Sequence, residues 1–311
     1  MEKIVEILLE TNQKNYSLRK RDLKRFLDIS SINLREGPLK NFRKHPNYGF
    51  EILRFYFVGG IRKIMGKKPA ISEGFILRLV NKKINLKKIK ILTLIYKNGK
   101  KFSFSIEKVH LLNLMGDVIG IMIKDQYNLF EKSIEDKIVL DCGAHHGTFS
   151  FLCVLMGAKK IYSFEPVSST YSILEENILL NKLNQKIIPI KKAVDNKKGM
   201  QKIYFGKIAD GSASLNKHFD NFEVIQTTSL DEFLKENKII KVGLIKMDIE
   251  GNEKNALIGA KKIIKNQKPI LTLSAYHKPE DKKELPETIK EIRSDYKIKY
   301  LNRFEEDFYC E

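Results

Sequence analysis

The run KIVLDCGAHHGTFSFLCVLMGA, residues 137–158, decides how the rest of the chain is read. An apolar segment ends at Asp141. A turn follows with Gly143 and Gly147, and His145 and His146 lie between them. Apolar residues then resume at helical spacing. A short buried strand, a tight turn and a helix in that order open an α/β unit. The glycines let the turn bend sharply and let backbone approach a ligand with no Cβ in the way. Three readings stand at this point: a nucleotide-binding turn, a metal site on the two histidines, or a strand-to-helix connection that holds nothing.

Downstream the pattern repeats. Apolar segments at 137–141, 160–164, 187–191, 224–228, 242–248 and 269–274 read as strands, with amphipathic stretches at 167–181, 229–236 and 252–265 between several of them. Buried strands alternating with helices predict an α/β fold with a doubly wound, mainly parallel sheet. In such sheets ligands bind beyond the carboxyl ends of the strands, so the turn after Asp141 is well placed. Glu165 closes the next strand, 24 residues beyond Asp141. An acidic residue there suits a ribose diol, one hydroxyl to each carboxylate oxygen. The G-x-G-x-x-G spacing of a dinucleotide site is missing, and with it the cradle for a pyrophosphate. A ligand with a ribose and no phosphate, such as S-adenosyl-L-methionine, fits better.

The front of the chain differs. Of the net charge of +19, residues 1–100 hold +16, from 24 basic and 8 acidic residues, while the rest holds 33 and 30. Such placement suits a polyanion: nucleic acid, an anionic membrane surface or a phosphorylated substrate. The general lysine richness of the chain is the alternative explanation. Residues 3–9 and 18–29 read as short amphipathic helices, and 48–66 mix aromatic with basic side chains. Asn98-Gly99 marks a two-residue hairpin turn within 88–107, and 109–133 read as mostly helical. This predicts a basic N-terminal α/β-hairpin accessory region, 1–108, and a ligand-binding domain, 109–311. Cys142, Cys153 and Cys310 show neither paired nor zinc-type spacing, so a reducing cytoplasmic setting is expected. The first residues carry no secretory pattern, and the apolar stretch 49–61 is broken by Arg54 and too short to span a bilayer.

Five blocks then occur in order: VLDCGAHHGTFS (139–150), SFEP (163–166), TTSLDEFL (227–234), VGLIKMDIEGNEKNALIGAKKII (242–264) and KPILTLSAYHKPED (268–281). Together they resemble the FkbM-like methyltransferases, class I enzymes dependent on S-adenosyl-L-methionine, many of which act on sugar or polyketide hydroxyls. KMDIEGNE, 246–253, is close to that family's K-x-D-x-E-G-x-E block. His145-His146 depart from it, because the family more often has a small or amide residue followed by a small apolar one. The resemblance implies a Rossmann-like methyltransferase sheet. It implies that Asp141, Gly143, Ala144, His146 and Gly147 line the methionine side of the cofactor, and that Glu165 holds the ribose. Ala193 and Val194 would flank the adenine with Asp195 nearby, Ser212 and Ser214 would border the pocket, and Asp248 would lie over the methyl group.

Methyl transfer to a hydroxyl needs alignment and a base for one proton. Asp248, Glu250 and His277 are the candidate catalytic residues, with Glu253 and Tyr276 close in sequence. The expected acceptor is a sugar or glycan hydroxyl, anionic through a phosphate or nucleotide link. The alternative is RNA, its phosphates held by the basic region, although the chain has no [DN]-P-P-[FYW] block for methylating a base amine. Asp248, Glu250 and a histidine offer ligands for a divalent cation, but no spacing demands one and no metal ligand is assigned.

Overall fold

The structure is a computed structural model that describes residues 4–11, 15–19, 89–106, 111–205, 215 and 221–311. It divides into two compact units, Glu2–Lys101 and Phe102–Glu311. The greater parts of 18–29 and of the accessory region, including 48–66, lie outside the described residues, as do Ser212 and Ser214.

In the first unit, β1 (Ile4–Thr11) runs antiparallel between β2 (Asn15–Arg19) and β3 (Ile89–Tyr96). The helix expected over 3–9 is therefore a strand. Eight residues are too few to hold a helix unaided, whereas Glu6–Glu10 find ladder partners on both sides and Ile7 is fully buried. The turn after β3 differs in type from the expected one. Gly99 N–H donates to Tyr96 O and Tyr96 N–H to Lys100 O, each at 2.9 Å, and of the two central residues only Gly99 takes a positive φ, 82°. That is a longer hairpin loop ending on a left-handed glycine, and it leads into β4 (Lys101–Ser105).

In the second unit, which begins within β4, the next described element is α1 (Leu111–Asp117), which widens into a π-helical turn over Val118–Ile123. From there strands and helices alternate in two groups. The first is β5 (Ile138–Cys142), α2 (Thr148–Leu155), β6 (Lys160–Phe164), α3 (Ser168–Leu180) and β7 (Ile187–Ile190). After β8 (Ala193–Val194), β9 (Gly199–Phe205) and β10 (Asn221–Thr228), the second group is α4 (Leu230–Glu236), β11 (Leu244–Met247), α5 (Glu253–Gly259), α6 (Lys261–Gln267) and β12 (Ile270–Ser274). The unit ends with α7 (Asp281–Ile292), β13 (Ile298–Asn302) and β14 (Glu306–Cys310).

The main sheet has the order β13-β14-β12-β11-β5-β6-β7, with β12 to β7 parallel and β14 antiparallel to its neighbours. The order reverses at β5, which is where a doubly wound sheet opens its ligand crevice. One expected strand of this sheet belongs elsewhere. The segment 224–228 forms the end of β10, in a separate sheet of order β8-β10-β9, because β10 pairs antiparallel with β9 along its length. The expected helix over 252–265 breaks at Ala260. At that break Gly259 sits so close to Asp195 O that a Cβ would lie 2.2 Å from it, so only glycine fits there. The core joins Leu140, Cys142, Ile245, Met247, Leu271 and Leu273 of the central strands to Phe233, Leu257, Ile264 and Leu285 of the helices.

Gly143 secures the first turn. Gly143 and Ala144 N–H both donate to Phe164 O, at 3.0 and 2.9 Å. Gly143 has φ 79°, and a Cβ on it would stand 1.9 Å from Asp248 O. Gly143→Ala is expected to cost about 2 kcal/mol or more in unfolding free energy, from strain and from displacing the Asp248 backbone. A urea midpoint equal to that of the unsubstituted protein would refute this close approach.

Candidate cofactor and acceptor site

The carboxyl ends of β5, β6, β11 and β12 surround one cavity of about 410 Å³, within the range of small-molecule sites. Gly143 and His145 reach it from β5, Glu165 from β6, Asp248, Ile249 and Glu250 from β11, and Tyr276 from β12. α1 and its π turn add Asn113, Asp117 and Ile121, and the β13–β14 connection adds Phe304 and Glu305.

Glu165 is the polar anchor of one end. His145 N–H donates to its Oε2 at 3.1 Å and Val167 N–H to its Oε1 at 3.0 Å. Each oxygen thus takes one backbone hydrogen bond and keeps acceptor capacity for a second partner. Burial raises its pKa, against the pull of His145 and of the two N–H groups. Beyond it, Val167, Ala193, Ile203 and Leu215 form an apolar wall within a small cluster of their own. A carboxylate with free acceptor capacity beside an apolar recess matches the needs of a nucleoside.

Beneath the turn lies a buried ion network. Lys246, in the middle of β11, is 3% exposed and donates to Gly143 O at 2.6 Å; its ammonium stands 3.3 Å from Asp141 Oδ1 and 4.0 Å from Asp248 Oδ2. Burial opposes its charge, but Asp141 and Asp248 raise its pKa above the ordinary lysine value. Asp141 is fully buried and also accepts from Ser150 Oγ at 2.6 Å, so it braces the turn from below and does not line the cavity.

At the other end the acidic groups crowd together. Asp248 accepts from Tyr127 Oη at 3.0 Å and from Tyr276 Oη at 3.2 Å. Burial works against its charge, yet Lys246 and then His277 bring its pKa below the usual aspartate value. The His277 ring is clamped by carboxylates: Nδ1 is 3.1 Å from Glu253 Oε1, and Nε2 is 3.5 Å from both Asp248 Oδ1 and Glu250 Oε1. Burial disfavours its charge, but Glu250, Glu253 and Asp248 together push its pKa up to about 11. His277 is thus a fixed cation near neutral pH. Glu305 behaves in the opposite way. Burial, and then the Asp248 charge, pushes its pKa up to about 7. Gln126 donates to Glu305 Oε2 at 3.2 Å and also lies 3.4 Å from Asp307 Oδ1, whose carboxyl is pushed up to about 8 by burial and by Asp248.

The residues picked from sequence therefore separate. Gly143, Glu165, Ala193, Asp248 and Glu250 meet at the cavity. Ala144 and His146 are buried behind the wall, Gly147 starts α2, and Asp195 is tied to Asn196 N–H at 2.8 Å and to the side chains of Gln201 and Asn252. His277 backs the site through its carboxylate partners. Lys246, Tyr127, Asp117 and Glu305 were not singled out in the sequence. Lys246 had a legible signal, a charge inside the buried strand LIKM that has to find partners. Glu305 had none, because it sits in a short connection without periodicity.

A comparison with protein families supports the resemblance read in the five sequence blocks. The methyltransferase FkbM domain matches residues 141–299, half of the chain. The chain belongs to the FkbM family of methyltransferases. As a member it is a methyltransferase dependent on S-adenosyl-L-methionine. Among curated relatives, it is 25% identical over 181 residues to the hexuronic acid methyltransferase AglP of Haloferax volcanii, covering 58% of this chain and 72% of that one. It is 33% identical over 99 residues to the tRNA (guanine(37)-N(1))-methyltransferase Trm5b of Methanocaldococcus jannaschii, covering 32% and 27%. A solved FkbM methyltransferase from Methylobacillus flagellatus aligns with a TM-score of 0.46 at 21% identity over 66% of this chain. The match spans a little over half, 56%, of that protein's length.

Proposed function

We propose that this FkbM methyltransferase methylates a hydroxyl of a sugar or glycan acceptor, with the cofactor ribose on Glu165 and the acceptor between Asp248, Tyr276 and Glu305. The observation that carries the reading is the division of the cavity: a diol-binding carboxylate beside an apolar recess at one end, and hydrogen-bonding carboxylates and tyrosine at the other. The similarity to a hexuronic acid methyltransferase supports a sugar. When bound, the cofactor supplies a methyl group already activated on a sulfonium. The protein's own tasks are alignment and proton removal.

Asp248 and Tyr276 accept and donate hydrogen bonds at the acceptor end and orient the hydroxyl. Asp248 is a weak base, because Lys246 and His277 stabilise its charge. His277 is already protonated. Glu305 stands on the cavity wall beside Asp248 and Tyr276 with a proton affinity raised to near neutrality by burial and by the Asp248 charge, and it takes the hydroxyl proton as oxygen attacks carbon. The concentration of carboxylates at this end favours uncharged hydroxyls near the reacting atom. An anionic acceptor would therefore keep its charged group away from Asp248, Glu250 and Glu305.

Transfer of labelled methyl from S-adenosyl-L-methionine to nucleotide sugars, polysaccharides, neutral oligosaccharides and RNA tests the reading. Label in a sugar ether supports it. Label confined to RNA, towards which the Trm5b similarity points, would replace it. Glu165→Gln is expected to weaken cofactor binding roughly 10–100-fold, by loss of charge-assisted hydrogen bonds. Unchanged affinity in calorimetry removes Glu165 from the ribose.

A further inference from the structure

The two histidines that depart from the family pattern are not absorbed by this function. His145 has φ 50°, a left-handed conformation uncommon for a residue with a side chain. In this turn its ring lies 3.6 Å from that of His146, centroid to centroid, at an interplanar angle of 37°. Both rings turn Nδ1 towards one carboxylate oxygen: His145 Nδ1 is 3.2 Å and His146 Nδ1 3.5 Å from Asp117 Oδ2. The backbone around them is held, since Glu165 accepts from His145 N–H and Asn177 Nδ2 donates to His146 O at 2.9 Å.

One hydrogen bond accounts for His145 and Asp117, but it leaves His146 unexplained. His146 is 1% exposed, and neither of its ring nitrogens has a hydrogen-bond partner among the described residues. An unsatisfied buried imidazole costs stability, yet this one is aimed at a carboxylate shared with a second imidazole. Two imidazole nitrogens and one carboxylate oxygen form a donor set suited to borderline divalent transition ions and unlike the all-oxygen sets of magnesium and calcium. Tetrahedral bonds of 2.0–2.1 Å would separate neighbouring ligand atoms by about 3.3–3.4 Å. The observed Nδ1-to-Oδ2 separations of 3.2 and 3.5 Å bracket that value, and the two rings, stacked with centroids 3.6 Å apart, would swing apart as both Nδ1 atoms turn to one ion. The carboxylate cluster around His277 lacks this property: its two ring nitrogens face different partners, Nδ1 to Glu253 and Nε2 to Asp248 and Glu250.

We propose that Asp117, His145 and His146 form a binding site for one zinc-type divalent transition ion in the wall of the cavity. Asp117 and His145 both line the cavity, so the fourth coordination position faces it. That position takes water or an oxygen ligand from whatever fills the methionine side. The ion ties α1 to the first turn of the sheet. The site rests on these three side chains and is independent of the acceptor.

The test uses tag-free, EDTA-dialysed full-length protein titrated with cobalt(II). Visible ligand-field absorption reports tetrahedral binding. One equivalent is expected to bind with the intensity of a tetrahedral site. Asp117→Asn and His145→Gln should each weaken it on the order of 100-fold, while Glu250→Gln leaves it unchanged. No tetrahedral band, unchanged affinity in both ligand variants, or a loss that follows Glu250→Gln overturns the proposal. Where a variant does not fold, the unsubstituted protein still decides: one equivalent of zinc must raise its melting temperature, and the absence of any shift counts against the site. Label transfer to an acceptor is read separately, so failure of the ion site leaves the methyltransferase reading untouched.

Discussion

Lys246→Met is expected to lower the unfolding free energy by about 3–5 kcal/mol, the usual cost of removing one partner from a buried ion network. The ammonium is the shared counter-charge of Asp141 and Asp248 and the donor to Gly143 O. Methionine keeps the length of its apolar stem, removes the ammonium and leaves the carboxylates behind. Asp141 is fully buried with Ser150 as its hydrogen-bonding partner, so it must either remain a buried charge or bind a proton. Joint replacement of Lys246 and Asp141 by apolar residues should restore part of the loss, since no uncompensated charge then remains at Asp141. Urea unfolding measures both. A loss below about 1 kcal/mol for Lys246→Met would mean that water or rearrangement satisfies the carboxylates.

Glu305→Gln is expected to lower kcat by about 10²–10⁴-fold, the span typical of removing a general base. The pH profile carries the sign. The folded pKa of about 7 lies above the ordinary glutamate value, so the ionised base appears as pH rises through 7, and kcat should climb over that interval. Stability runs the other way. A carboxyl whose pKa is raised by folding lends stability that is full below pH about 4 and is lost as pH rises through the folded value. Glu305, and Asp307 at about 8, should therefore make the protein less stable between pH 5 and pH 8. Glutamine imitates the protonated acid, so Glu305→Gln should soften that decline while abolishing the rise in kcat. A variant that keeps the same rate and pH limb leaves Glu305 without a role in proton transfer.

The positions of Asp248 and Glu165 were legible because both close apolar strands, and strand ends in a parallel sheet are where ligands collect. The strands at 160–164 and 270–274 were read almost to the residue, since buried parallel strands stand out as short apolar runs. β1 was misread as a helix because eight residues of mixed periodicity carry no decisive signal and long-range pairing with β3 settles them. The elements after residue 280 were not read at all. α7 carries a helical apolar spacing, with Leu285 and Ile289 buried, that went unread, whereas β13 and β14 are short and become strands only by pairing at the edge of the sheet.

By itself the sequence determined the strand–turn–helix unit around Gly143, the acid at Glu165 and membership of one methyltransferase family. These are local features, and spacing along the chain preserves them. Only the tertiary structure decided what each charged group does. It buried Asp141 under the turn with Lys246, enclosed His277 among three carboxylates, brought Glu305 from the last hairpin to the cavity, and set Asp117 against the two histidines. Ionisation and coordination depend on distance and burial between residues far apart in the chain, and those quantities exist only once the sheet has closed its register.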